Sequence, residues 1–430
     1  MTMSRILVAT VGSRGDVQPY VALGQGLRAA GHDVTVATCE RFGPLVTGHG
    51  LSYGRLSDDF LKLVDSQEGH AALEDSTNVF GAVRTNLRLA RQAGPINRGL
   101  MSDVWDVARQ VRPDVVVYHP KALAAPHAAE ALGVPAVLAI PVPVSVPTGD
   151  FPVVGMPRLP LGPGYNRATY RLVAAGFAGY DRMVNAFRRD TLGLRTRKGA
   201  AMMAHDAAGR PIPVLHGISP AVVPVPADWP AHAEMTGYWF VDDASDWTPP
   251  QELADFLDAG EPPVYVGFGS MAGRDPERIT RAVVEALQAA GVRGVIATGW
   301  GGLAPGDLPD TVLPLTEAPH DWLFPRVAAV VHHGGAGTTA AALRAGKPSV
   351  ICPFIIDQFF WGGRVAELGA GSAPVPQKKL TAPRLAAALH EVTTSDAVRN
   401  TAAELGRRIA AEDGVGRATA RIEAVVSQAA

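Results

Sequence analysis

Cysteine is scarce: Cys39 and Cys352 are the only two in 430 residues. Their flanks carry no metal-ligand spacing, so neither a zinc site nor a disulfide framework is expected, and reduced thiols are the simple reading. Charge is sparse and nearly balanced, at 19% charged residues and a formal −2, with a pI near 6.6. There is no basic excess of the kind that nucleic acid demands, so no nucleic-acid partner is expected. No uninterrupted apolar run approaches the roughly 20 residues of a membrane helix, which argues against an integral membrane segment. Met1 leads directly into the strand-like Arg5-Ile6-Leu7-Val8-Ala9-Thr10, which leaves no room for the apolar core of a signal peptide. A cytoplasmic chain, monomeric or homodimeric, is expected. Near the glycine-rich segment at 334–337 there is no Asp-x-Asp metal motif.

What is present is a two-domain rhythm. A chain of 430 residues, 47% hydrophobic, is too long for one ordinary core. Short apolar runs alternate with helix-period stretches, the pattern of parallel sheets with crossover helices. Ile6 to Thr10, Val34 to Thr38, Val115 to Tyr118, Ala136 to Ile140 and Val214 to His216 read as strands, with a helix from Val17 to Ala30 after the first. The pattern restarts at Val264 to Phe268 and continues with Gly294 to Thr298, Val312 to Leu315, Val327 to Val331 and Ser349 to Cys352. The expected organisation is therefore an α/β, Rossmann-like domain over 1–240, a Pro-rich linker over 241–263, a second such domain over 264–414 and a closing helix over 415–430. Residues 58–112 and 141–208 break the strand rhythm and are the expected acceptor lid.

The most informative stretch is His332-His333-Gly334-Gly335-Ala336-Gly337-Thr338-Thr339, followed by Pro353-Phe354-Ile355-Ile356-Asp357-Gln358. The glycines fall between a buried strand and a helix expected over Thr338 to Ala345. Such a turn aims main-chain N–H groups at an anion, and Gly lets the backbone approach a diphosphate closely. His333 and Thr338 add an imidazole N–H and a hydroxyl for phosphate oxygens. Asp357 and Gln358 offer acceptors and donors suited to vicinal sugar hydroxyls, with Phe359, Phe360 and Trp361 as an apolar wall; each element alone also reads as a plain turn or a helix cap. Together they point to a nucleotide-sugar site.

The run from His332 to Gly371, including Leu343-Arg344-Ala345-Gly346-Lys347-Pro348 and Gly363-Arg364-Val365, resembles the donor signature of family 1 glycosyltransferases, above all the sterol glucosyltransferase-like and antibiotic branches. The resemblance implies the GT-B fold, two Rossmann-like domains with parallel sheets facing a central cleft, and transfer from a nucleoside diphosphate sugar with inversion. It implies phosphate contacts from Ser270, His333, Gly335, Ala336, Gly337 and Thr338, sugar contacts from Asp357 and Gln358, and main-chain contacts to the base near Pro319 and His320. Trp300, at a strand end, is a candidate for the base pocket or for packing. No metal and no resident cofactor are required. The family's ribose-binding Glu falls near Ala341, which leaves UDP and dTDP open.

The first strand runs into Val11-Gly12-Ser13-Arg14-Gly15-Asp16-Val17-Gln18-Pro19. Read from the residues, Asp16 is an N-cap with Pro19 in the first helical turn. The resemblance adds a role: Asp16 precedes Pro19 with the spacing of the general-base His in the His-x-x-Pro motif of plant-type relatives, so Asp16 is the expected base, with Ser13, Arg14 and Gly15 as the surrounding loop. A closed cleft is expected to raise its pKa. His119, in Tyr118-His119-Pro120, ends another strand and is the expected second member of the pair. The expected activity is hexose transfer, glucose from UDP-glucose first, to a hydroxyl of a sterol, polyketide, macrolide or flavonoid. A nucleotide-sugar epimerase or hydrolase of the same fold is the enzymatic alternative, and a non-catalytic nucleotide-sugar-binding partner protein is the other.

Overall fold

The computed structural model describes residues 3–66, 79–242, 247–269, 275–298 and 308–429, with backbone alone for 79–92. The chain divides into two compact units, one of residues 1–220, 225–241 and 413–430, the other of residues 221–224 and 242–412.

The first unit is built on a seven-stranded, fully parallel sheet in the order β3-β2-β1-β4-β5-β6-β7. Its strands are β1 (Arg5–Ala9), β2 (Asp33–Cys39), β3 (Ser52–Leu56), β4 (Val115–Tyr118), β5 (Ala136–Ile140), β6 (Val214–His216) and β7 (Ala233–Met235). The central strand β4 is buried throughout and β1 from Ile6 onward, as their Val, Leu and Ile runs demand of a parallel sheet. Ile6, Leu7 and Val8 share one core with Val17, Val21 and Leu27 of the helix Arg14–Ala29. That helix begins at Arg14 rather than Val17, because Ser13 takes the N-cap position. The closing helix Gly414–Ala429 belongs to this unit: Ala418, Ile422 and Val425 enter the same core, and Glu423 Oε1 lies 3.2 Å from His32 Nε2.

The second unit carries a five-stranded parallel sheet in the order β10-β9-β8-β11-β12. These are β8 (Val264–Gly267), β9 (Gly294–Ala297), β10 (Val312–Leu315), β11 (Ala329–His332) and β12 (Ser349–Ile351). All but the first residue of the stretch expected as a linker, 241–263, falls within this unit. It holds the helix Gln251–Asp258, whose Leu253 is buried with Tyr265, Val295 and Leu313. The stretch 141–208 contains no named strand among the described residues but three short helices, Gly162–Thr169, Arg171–Ala178 and Asp181–Asp190. No helix among the described residues is long and apolar enough to cross a membrane.

Both sheets have one place where strand order reverses, between β1 and β4 in the first and between β8 and β11 in the second. Loops leaving the carboxyl ends of such neighbours diverge, and the gap between them is where ligands settle in open parallel sheets.

Candidate active site

At the first switch point, β1 and β4 run side by side with Ala9 opposite Tyr118. The next residues, Thr10 to Asp16 and His119 to Lys121, are thereby brought together although about a hundred positions separate them. Asp16 is the third residue of its helix, not the N-cap, and Pro19 falls in the second turn. The Asp16 carboxylate folds back onto Ser13: its Oδ2 accepts the Ser13 N–H at 2.8 Å and the Ser13 hydroxyl at 3.0 Å. Gly12, at φ +142°, has to be glycine, since a β-carbon there would collide with the same carboxylate.

Two groups from the β4 loop complete the arrangement. His119 Nε2 lies 3.4 Å from Asp16 Oδ1 and Lys121 Nζ lies 3.0 Å from Oδ2. The Lys121 main-chain N–H donates to His119 Nδ1 at 3.1 Å, so Nδ1 is the accepting nitrogen and Nε2 carries the proton facing Asp16. Burial alone would raise the Asp16 carboxyl, but the Lys121 ammonium and then His119 outweigh it and hold Asp16 well below the usual carboxylate range. This is the opposite of the expected upward shift. A buried carboxylate with a cation at hydrogen-bond distance is stabilised in its charged form by more than burial costs it. Burial keeps His119 below the ordinary imidazole value, hence neutral. Beside this pair, Val11, Leu100, Met101, Val104 and Leu123 line a small apolar recess that the Lys121 side chain also borders.

At the second switch point, His332 pairs with Gly267, and the chains leaving β8 and β11 meet: a β-carbon at Gly269 would sit 3.3 Å from His333 Cε1. His333 also overlies Gly335, where a β-carbon would fall 2.6 Å from its Nε2. Its Nδ1 is buried without a hydrogen-bond partner among the described residues, and burial lowers its pKa to about 4, so the ring is neutral near pH 7. His332 is wholly buried and its Nδ1 accepts the Gly334 N–H at 3.1 Å, which makes it a brace for the turn. The following helix is Ala336–Arg344, two residues earlier than expected at its start, with Gly335 as N-cap. The free N–H groups of its first turn are therefore those of Ala336, Gly337 and Thr338, beside His333. Gly337 is exposed and Thr338 partly so.

The Asp-Gln pair opens the helix Ile356–Glu367. Gln358 is buried, and its Oε1 accepts the main-chain N–H groups of Phe354 at 2.6 Å and Ile355 at 3.1 Å. The acceptor end of that amide is thus committed to the turn, so Oε1 also has a structural role. Asp357 is partly exposed in the first turn. Trp361 is fully buried in the core and forms no ligand wall, whereas Phe359 is 48% exposed. Gly334 ties the two motifs together. At φ +93°, a β-carbon on it would meet Ile351 Cγ2 at 2.7 Å and the Gln358 carbonyl oxygen at 3.0 Å.

Residues 6–146 match the glycosyltransferase family 28 N-terminal domain, and residues 301–423 match the erythromycin biosynthesis protein CIII-like C-terminal domain. A sterol 3-beta-glucosyltransferase of Emericella nidulans is 38% identical over 431 residues, which cover 96% of this chain and 29% of that protein. The chain thus spans under a third of the length of such relatives. The glycotransferase of kitacinnamycin superposes with a TM-score of 0.74 at 22% identity, covering 99% of this chain and all of that one. The SsfS6 glycosyltransferase of Streptomyces sp. SF2575, solved with thymidine diphosphate, gives 0.61 at 22% identity over 98% and 99%. The chain has the GT-B fold, with a glycosyltransferase family 28 N-terminal domain over 6–146 and an erythromycin biosynthesis protein CIII-like domain over 301–423.

The two switch points of this GT-B chain hold most of the residues singled out in the sequence. Ser13, partly exposed Arg14 and exposed Gly15 surround Asp16 at the first. His320 opens the helix His320–Leu323 with Pro319 as its N-cap, and its ring stacks on Phe324 at 4.3 Å. Ser270 and Trp300 lie outside the described residues. Lys121 carries no motif of its own, and only the adjacency of β1 and β4 reveals it.

Proposed function

We propose that this chain transfers a hexose, glucose from UDP-glucose first, to a hydroxyl of an apolar small molecule with inversion at the anomeric carbon. The observation that carries this reading is the apposition of Gly334 and Gln358, which joins a diphosphate turn to a sugar-facing helix start. The first turn of Ala336–Arg344, with His333 and Thr338, would take the charge of the departing diphosphate without a metal or a resident cofactor. Asp357 and Gln358 Nε2 would hold the sugar hydroxyls.

In this reading the acceptor hydroxyl oxygen attacks the anomeric carbon as the bond from that carbon to the β-phosphate oxygen breaks. Its proton passes to Asp16. Because Asp16 is held low, it is a weak base and can take the proton only late, once C–O bond formation has made the acceptor oxygen acidic. Most of the driving force then comes from stabilising the leaving diphosphate. His119, with both ring nitrogens engaged, orients Asp16. The name of the 38% identical relative favours a sterol over polyketides, macrolides and flavonoids as the acceptor. The thymidine diphosphate in a fold neighbour keeps dTDP-glucose as the second donor. A cytoplasmic site of action goes with this reading.

The test is to offer UDP-glucose, dTDP-glucose and UDP-N-acetylglucosamine with sterols and aromatic polyketides. The expected result is one added hexose on a sterol, formed as the β-anomer from the α-linked donor. Free glucose without an acceptor product supports the hydrolase alternative, an epimerised nucleotide sugar supports the epimerase, and nucleotide binding without turnover supports the non-catalytic partner.

A further inference from the structure

The Lys121 side chain and main chain touch both members of the Asp16–His119 pair. We propose that Lys121 is the positioning residue of this pair: its ammonium occupies Asp16 Oδ2, its main-chain N–H fixes the His119 tautomer, and Oδ1 is left as the oxygen that receives the acceptor proton. The proposal rests on Asp16 being the base.

The argument is one of lone pairs. A carboxylate oxygen accommodates about two in-plane donors. Asp16 Oδ2 already faces three, the Ser13 N–H at 2.8 Å, the Ser13 hydroxyl at 3.0 Å and the Lys121 ammonium at 3.0 Å. Among the described residues Oδ1 faces one, His119 Nε2, at the long distance of 3.4 Å. A substrate hydroxyl therefore finds room at Oδ1 and none at Oδ2. The groups against the carboxylate come from three elements. Ser13 is on its own turn, His119 and Lys121 are on the β4 loop, and behind them Tyr20 sets its ring edge-on to His119 at 5.8 Å while giving its hydroxyl to the Ala139 carbonyl. With His119 neutral, Lys121 is the cation of this set, and it governs how readily Asp16 is protonated.

The test measures kcat/KM for hexose transfer from pH 5 to pH 9 in the wild type, Lys121→Met and Lys121→Arg, with UDP affinity as the folding control. The Lys121 side chain is half exposed, so the Met variant leaves the core intact. Without the ammonium, Asp16 is protonated at higher pH and loses its base function on the acid side. The wild type, its carboxyl held low, is expected to show no acid limb from Asp16 in this range; the Met variant, in which burial is no longer opposed by the ammonium, is expected to bring one into it, with a loss of tenfold or more at pH 5, and the Arg variant is expected to restore the wild-type profile. A Met variant without that limb, whether its rate is unchanged or uniformly lowered, overturns the proposal and leaves the base assignment standing. Full transfer by Asp16→Asn would remove the base assignment itself, whatever Lys121 does.

Discussion

Gly334 lies against the main chain of Gln358 so closely that a β-carbon on Gly334 would come within 3.0 Å of the Gln358 carbonyl oxygen and 3.2 Å of its Cα. The turn after β11 and the helix after β12 are thus packed directly against each other. Gly334 also holds φ at +93°, where an L-side chain costs about 1–3 kcal/mol. Gly334→Ala is expected to weaken UDP binding at least tenfold and to lower the thermal midpoint, read by titration calorimetry and by a melting scan. Unchanged binding would show that the turn does not depend on this contact.

Gln358 separates a structural role from a ligand role. Gln358→Leu leaves the Phe354 and Ile355 N–H groups without their acceptor, at about 1–3 kcal/mol for each buried group. Gln358→Glu keeps an oxygen in place for both, at a helix N-terminus that favours negative charge. The expected outcome is a large drop in urea midpoint for the Leu variant. For the Glu variant the expectation is near-normal stability with at least tenfold slower transfer, because the amide donor is gone.

Acid should destabilise the protein through buried histidines. Burial lowers His127, His216 and His333 each to about 4, against an unfolded value near 6.5. Between those values the unfolded chain binds protons that the folded chain refuses, so stability is intact above pH 6.5 and falls as pH drops toward 4, by up to about 1.4 kcal/mol per pH unit for each histidine. Urea midpoints measured between pH 7.5 and 5 check this. His216→Phe, which can keep the ring stack on Trp229 at 4.4 Å, should flatten the slope.

In the first unit Arg188 is buried, with two nitrogens 2.8 and 2.9 Å from the Glu130 carboxylate and a third bond to the Arg195 carbonyl. Removing one partner strands the other charge. Glu130→Gln is expected to cost about 3–5 kcal/mol in chemical unfolding, and a loss under 1 kcal/mol would mean that the pair is hydrated in solution.

The interior strands were legible because they are short, unbroken apolar runs, such as Val115–Tyr118 and Ala329–His332. The edge strands β3 and β7 were not. Ser-Tyr-Gly-Arg-Leu alternates polar and apolar, and Ala233–Met235 is three residues long, so neither carries a buried-strand signature. Asp16 was mistaken for the cap because Ser and Asp suit both the N-cap and its partner at the third helical position. Trp361 was misplaced by reading adjacency instead of period: Gln358, Trp361, Gly362 and Val365 form the buried stripe of their helix, which turns Trp361 inward. The Pro-rich 241–263 stretch read as a linker because Pro and charge dominate it, yet Leu253 supplies enough apolar surface to dock its helix. Lys121 was invisible, since no local pattern says that β4 lies beside β1.

The central claim is that Asp16 takes the acceptor proton while the 332–338 turn holds the diphosphate. Its most direct test is the rate of hexose transfer by Asp16→Asn at saturating donor, with UDP affinity measured on the same sample. General-base loss should lower the rate by about 10²–10⁴-fold and leave UDP affinity at the wild-type value, because the 332–338 turn proposed to hold the diphosphate lies in the other unit. Transfer at the wild-type rate by Asp16→Asn would contradict the account.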